Sequence, residues 1–262
     1  MAVGRARVIG VVGARGGVGA STIAAALAHR WARSCSTVLV DANPGGSGID
    51  VLVGIEALPG IRWPDLAAAS GDIPVDDIAV LLPRWSGCAV LSMDRARPGA
   101  PPVPVMAAVL AALTGGYECV VVDIGKAALS CGLLPALDCA AVVVVSPTDM
   151  AGIAGALAVR DLVAAGLVDR GAAGRGAALH GVGRAAADGR AVRPSEALVL
   201  VTRPSPAARV APSEVAGALG VPWLAHLRDD RSVARAIEHG VGPVRLTGRT
   251  ARCMRRIAAG LP

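Results

Sequence analysis

Short apolar runs rich in β-branched residues alternate along this chain with Ala- and Leu-rich stretches of helical length. The runs 7–13 (RVIGVVG), 37–41 (TVLVD), 88–93 (CAVLSM), 118–123 (ECVVVD), 140–146 (AAVVVVS), 197–202 and 222–227 read as strands. Between them, 21–34, 103–114, 151–166, 213–219, 231–239 and 249–259 read as helices. Runs such as 140–145 show no polar alternation, as expected of strands covered on both faces. The pattern therefore predicts an α/β fold: a single doubly wound, mostly parallel sheet of about seven strands with helices on both faces. Residues 170–195 are rich in Gly, Ala and Arg without an apolar period, which predicts a mobile basic loop between a helix and a strand. No internal repeat is present, and the expectation is one domain over residues 1–262.

Composition narrows the function classes. With 53% hydrophobic and 18% charged residues in 262, disorder is excluded for most of the chain. Phe is absent and there are one Tyr and four Trp, which argues against an aromatic platform for single-stranded nucleic acid. The net charge of +6 is uneven: residues 1–150 carry 10 basic and 12 acidic side chains, residues 151–262 carry 16 and 8. Such a basic half suits non-specific contact with DNA or an anionic membrane, and no specific nucleic acid is expected. The six cysteines form no C-x-x-C pair and the four histidines are scattered, so neither suggests a metal site. A hydropathy scan flags 127–145, but Pro135 and Asp138 interrupt the stretch. The N-terminus lacks a signal-peptide pattern, so the expectation is a cytoplasmic protein, peripheral at the inner face of the membrane if it meets one.

The candidate chemistry lies where the first strand ends. Gly13 leads into Ala14-Arg15-Gly16-Gly17-Val18-Gly19-Ala20-Ser21-Thr22, and a helix follows. Strand, glycine-rich loop and helix together aim backbone N–H groups and a helix N-terminus at a phosphate. The spacing Gly13-x-x-x-Gly17-x-Gly19 also looks like the dinucleotide loop of short-chain dehydrogenases, with Asp41 suited to a ribose hydroxyl. That chemistry resembles a Tyr-x-x-x-Lys relay, and here the single Tyr, Tyr117, and the single Lys, Lys126, stand nine apart. No such relay can be assembled.

The loop instead resembles the deviant Walker A motif of the MinD/ParA family of P-loop ATPases, Lys-Gly-Gly-x-Gly-Lys-(Ser/Thr)-(Thr/Ser). Two further segments agree in order and spacing. VLVDANPGGSGID, with Asp41, resembles the family's switch segment, and CVVVDIG, with Asp123, resembles its Walker B strand. Within the family, VVGARGGVGAST, VDANPGGSGID, GIRWPDLAA at 60–68 and VLSMDR at 90–95 are similar to actinobacterial septum-site-determining (Ssd) proteins, also described as CpaE-like or TadZ-like. Many CpaE-like proteins carry a receiver-like domain ahead of the ATPase domain; only six residues precede the first strand here, so no such domain is expected.

The resemblance implies ATP or ADP with Mg²⁺ as ligands. It implies that the N–H groups of Gly16, Gly17, Val18, Gly19, Ala20, Ser21 and Thr22 cradle the phosphates, that Ser21 ligates Mg²⁺ and that Asp123 holds the metal's water. Arg203, and Asp229 within Arg228-Asp229-Asp230, fall where the family contacts the base. Arg15 stands at the signature lysine that reaches across a nucleotide-sandwiched homodimer, and its guanidinium keeps the charge. Asp41 is a weak catalytic candidate. Two departures bear on turnover: the lysine expected at 20 is Ala20, and the carboxylate expected at 43 is Asn43. Losing a charge-assisted hydrogen bond costs about 1.5–3 kcal/mol, and lost transition-state stabilisation slows hydrolysis further. The resulting expectation is a nucleotide-binding positioning protein for septum or Tad/type IV-like pilus secretion machinery, with weak or slow turnover. The alternatives are an active ATPase using Arg15 and a nucleotide-free scaffold. The basic C-terminal segment GRTARCMRRIAAGLP, with Cys253, Met254, Ile257 and Leu261 at near-helical spacing, is expected to be the domain's last helix rather than a membrane anchor.

Overall fold

Eight strands form one sheet in the order β3-β4-β2-β5-β1-β6-β7-β8. The computed structural model describes residues 6–68, 74–131, 133, 139–176, 197–206 and 210–262, with backbone alone for 167–176. The strands are β1 (Arg7–Gly13), β2 (Thr37–Ala42), β3 (Arg84–Trp85), β4 (Cys88–Leu91), β5 (Cys119–Ile124), β6 (Ala141–Pro147), β7 (Leu198–Arg203) and β8 (Trp223–His226). Every pairing is parallel except that of β3 with β4. The seven strands read from the sequence are all present. The eighth, β3, is a two-residue antiparallel edge strand, too short to leave a pattern.

The helices are α1 (Ala20–Trp31), α2 (Ile49–Val53), α3 (Val75–Leu81), α4 (Val103–Gly116), α5 (Lys126–Ser130), α6 (Met150–Gly176), α7 (Pro212–Leu219), α8 (Arg231–Glu238) and α9 (Gly248–Ala259), with a 3₁₀ turn at Trp63–Leu66. Strand side chains alternate between two apolar layers. Val8 and Val12 of β1 face a core with α3 to α7, whereas Ile9 and Val11 face a core with α1, α2 and α9. With few large side chains to spend, α1 buries Ala24, Ala25, Ala26 and Ala28 beside Ile23, Leu27 and Trp31. Small residues at these positions let the helix lie close on the sheet.

One boundary differs from the sequence reading. The helix read at 151–166 runs through Gly176, so residues 170–176 of the segment expected to be a loop are helical, and the remainder lies outside the described residues. The C-terminal helix behaves as expected: Met254 and Ile257 of α9, and Leu261 after it, are buried against the sheet. Among the described residues no helix is long and apolar enough to cross a membrane.

Candidate nucleotide site

β1 lies between β5 and β6, and its carboxyl end opens directly into the glycine loop. The loop is anchored at its start, where the Ala14 N–H donates to the Val145 carbonyl at 2.8 Å. Two of its residues require glycine, since Gly17 (φ 73°) and Gly19 (φ 84°) sit in the left-handed region. No heavy atom lies within 4 Å of where a Cβ would stand on Gly16 or Gly17, so the loop's surface is open on that side. Gly19 caps α1 without any side-chain acceptor, and no acid occupies the first turn. The positive end of α1 is thus left for an external anion.

Ser21, in the first turn of α1, donates its hydroxyl to Asp123 Oδ2 at 2.6 Å. Asp123 closes β5 and pairs in register with Asp41 of β2, which sets the two carboxyl groups side by side on neighbouring strands. Both are buried. Burial, reinforced by the Asp123 charge, pushes Asp41 up to about 7, against N–H groups donated by Asn43, Ile49 and Met93. Burial also raises Asp123 to about 6, opposed by the Ser21 hydroxyl. A divalent cation beside Ser21 would neutralise this negative pair, and a hydroxyl with a neighbouring carboxylate is a suitable hard-oxygen donor set for Mg²⁺.

The remaining predicted residues divide into two groups. Arg203, at the end of β7, places its guanidinium 3.6 Å from where a Cβ on Gly19 would stand and pairs with Asp229. The two therefore meet at the loop, on the rim of a largely apolar cavity of about 270 Å³ walled by Ile23, Ala26, Val233, Ile237 and Met254. Arg15 points elsewhere. Its guanidinium donates to both carboxylate oxygens of Asp149, at 3.0 and 3.4 Å. The Ser205 hydroxyl, the Gly152 N–H and Arg15 together hold Asp149 below the usual carboxylate range. Ala20 opens α1 where the lysine is expected, and Asn43 packs its side chain against Gly125.

Several supporting contacts escaped the sequence reading. Trp63 is fully buried and donates its indole N–H to the Asp41 carbonyl at 2.6 Å, fastening the end of β2. Arg62, buried beside it, faces Asp50 at 3.8 Å and donates to the carbonyls of Ile55 and Leu58. Gly155 lets α6 meet the loop, for a Cβ there would stand 2.1 Å from the Ala14 carbonyl oxygen. Trp63 was visible as a motif residue, but Asp149, Arg62 and Gly155 act through contacts that no local pattern announces.

This architecture and loop define the class: the chain has the fold of the MinD/ParA-type P-loop ATPases. A ParA family ATPase from Chlorobium tepidum matches with a TM-score of 0.73 and 14% identity, over 97% of this chain and 98% of that one. The MinD septum site-determining protein from Pyrococcus horikoshii, solved with Mg-ADP, matches with a TM-score of 0.69 and 16% identity, over 97% and 94%. MinD of the Aquifex aeolicus MinC:MinD cell division complex gives a TM-score of 0.69 and 14% identity, over 97% and 95%. In sequence, an uncharacterized protein of Mycobacterium tuberculosis, in strains H37Rv and CDC 1551, is 36% identical over 256 residues. Those residues are 97% of this chain, and the match spans 64% of the length of those relatives. No family model matches the sequence.

Proposed function

We propose that the chain binds ATP or ADP with Mg²⁺ at the loop following β1 and acts as a nucleotide-dependent positioning factor of the MinD/ParA kind, with weak affinity and slow turnover. The observation that carries this reading is the Ser21–Asp123 hydrogen bond of 2.6 Å beneath an open, uncapped glycine loop. The groups present fit a phosphate chain and a metal: N–H donors of residues 16–22 for the phosphates, Ser21 for the ion and Asp123 for its water. The cation expected at position 20 is missing from that set. Bound Mg²⁺ would supply charge neutralisation at the phosphates. The apolar cavity beside Arg203 and Asp229 is of a size and lining that suits a base.

In this reading the protein works in the cytoplasm, peripheral to the inner face of the membrane, as a single domain over residues 1–262. It dimerises across nucleotide and recruits septum or Tad/type IV-like pilus secretion proteins. Support for that finer assignment comes from the Ssd/CpaE-like motifs, Trp63-Pro64-Asp65 above all. Ala20 and Asn43 favour a second reading, a scaffold that keeps the fold without nucleotide. Titration with fluorescent ATP, with and without Mg²⁺, followed by a turnover assay, separates the readings. Binding strengthened by Mg²⁺ with little phosphate release is the expected result, and absence of binding at millimolar nucleotide would leave the scaffold. Fast hydrolysis would point to an active ATPase using Arg15.

A further inference from the structure

The chain contains one lysine among 26 basic Lys and Arg side chains, and the fold puts it beside the phosphate loop. β5 runs parallel to β1 with Ile124 level with Val12, so Lys126 leaves the sheet beside the point where β1 becomes the loop. On its other side the Gly125 N–H donates to the Ala42 carbonyl at 3.0 Å, and a Cβ on Gly125 would stand 2.5 Å from Asn43 Oδ1. Lys126 therefore opens α5 where the ends of β1, β2 and β5 converge, three residues beyond the Asp123 that holds Ser21. A strand spacing is about 4.8 Å, which a four-carbon stem ending in an ammonium spans.

The other cations at the loop already face carboxylates. Arg15 is paired with Asp149, and Arg203 with Asp229. Lys126 is exposed and makes no ion pair with any described residue. We propose that the Lys126 ammonium takes the terminal phosphate of bound ATP, supplying from α5 the charge that Ala20 cannot supply from α1. This rests on the nucleotide reading above and adds a residue to it. The proposal places this ammonium at the end of the phosphate chain rather than at its first phosphate, so its effect is expected to fall on ATP and to spare ADP.

The test is titration of the full chain with fluorescent N-methylanthraniloyl ATP and ADP in Mg²⁺, for wild type, Lys126→Ala, Lys126→Arg and the double variant Ala20→Lys/Lys126→Ala. Lys126→Ala is expected to weaken ATP binding about tenfold or more and to change ADP binding less than about twofold. Lys126→Arg should retain most of the ATP affinity, and Ala20→Lys should restore it in the Lys126→Ala background. Wild-type protein that binds neither nucleotide overturns the nucleotide reading itself. Wild-type binding that Lys126→Ala leaves unchanged, or lowers equally for ATP and ADP, overturns the role of Lys126 while that reading stands.

Discussion

Position 20 is the first residue of α1, and its half-buried side chain lies between the start of the loop at Gly13 and the edge of the α1 core. A lysine introduced there has the open side of the loop to extend along, so Ala20→Lys should tighten ATP binding by about tenfold, the worth of one charge-assisted hydrogen bond. Fluorescent-nucleotide titration measures it, and a wild type that already hydrolyses ATP as fast as the variant would show that the site needs no lysine. Arg15 poses the opposite question. Its pair with Asp149 is 45% exposed on the arginine side, so it contributes at most about 1 kcal/mol to stability. Arg15→Ala should leave the melting temperature nearly unchanged while weakening nucleotide binding and any ATP-dependent dimerisation seen by light scattering. Unchanged affinity and an unchanged dimer would confine Arg15 to its partner Asp149. The acidic pair makes a third prediction. Asp41 at about 7 and Asp123 at about 6 both lie above the unfolded carboxylate value of about 3.9. Their contribution to stability is full below that value and is lost as pH rises through their folded values, because the unfolded chain releases protons that the native pair retains. Burial holds His29 and His226 below the usual imidazole value, and below about pH 6.5 they act in the opposite direction. The comparison of wild type with Asp123→Asn isolates the pair: without nucleotide, the variant should gain melting temperature over wild type as pH goes from 5 to 8. A variant less stable than wild type at pH 8 by the same margin as at pH 5 would contradict this account from burial and, at Asp41, the neighbouring charge.

At the scale of elements, α6 and the phosphate loop touch with no space between them. Because a Cβ on Gly155 would approach the Ala14 carbonyl to 2.1 Å, Gly155→Ala must displace either the helix or the loop. The expected cost is about 1–3 kcal/mol in denaturant unfolding, with a loss of nucleotide affinity larger than that of an Ala substitution at exposed Gly217, where a Cβ meets nothing within 4 Å. Equal behaviour of the two variants would show that loop and helix slip past each other freely. The same contact explains what the sequence could and could not disclose. Strands such as β6, AVVVVSP, are buried throughout and announce themselves as unbroken apolar runs. The elements α2, α3 and α5 span five to seven residues, too few for a helical period to stand out, and each is held by tertiary packing instead. In the candidate site, Gly17 and Gly19 were legible because a left-handed backbone demands glycine, and Ser21, Asp41 and Asp123 because they stand at motif spacing next to strand ends. Asp149 lies 134 positions from Arg15 and Trp63 lies 22 from Asp41, and pairings at such separations exist only once the sheet has formed.

For the molecule as a whole, the excess of basic side chains in residues 151–262 sets the expectation for any contact with polyanions. The arginines of α9, Arg249, Arg252, Arg255 and Arg256, are exposed, while Met254 and Ile257 on its other face are buried in the core with α1. An amphipathic helix whose apolar face is already used by its own domain cannot insert that face into a bilayer without exposing the sheet. Contact with lipid or DNA is therefore expected to be electrostatic and non-specific, governed by counterion release. A groove of about 410 Å³ between the ends of α1 and α9 adds Arg30 and Arg33, from the first half of the chain, to Arg255 of α9, without an acid among its lining residues. Binding to a 30-base-pair duplex or to phosphatidylserine vesicles should fall steeply between about 50 and 200 mM salt. The double variant Arg33→Ala/Arg255→Ala should lower the slope of log affinity against log salt by about two, one for each phosphate contact removed. The fold should be unaffected, since both side chains are exposed. An unchanged slope would move the contact to another basic face, and lipid binding that persists at high salt would require α9 to leave the core, which hydrogen exchange at the Met254 and Ile257 amides would reveal.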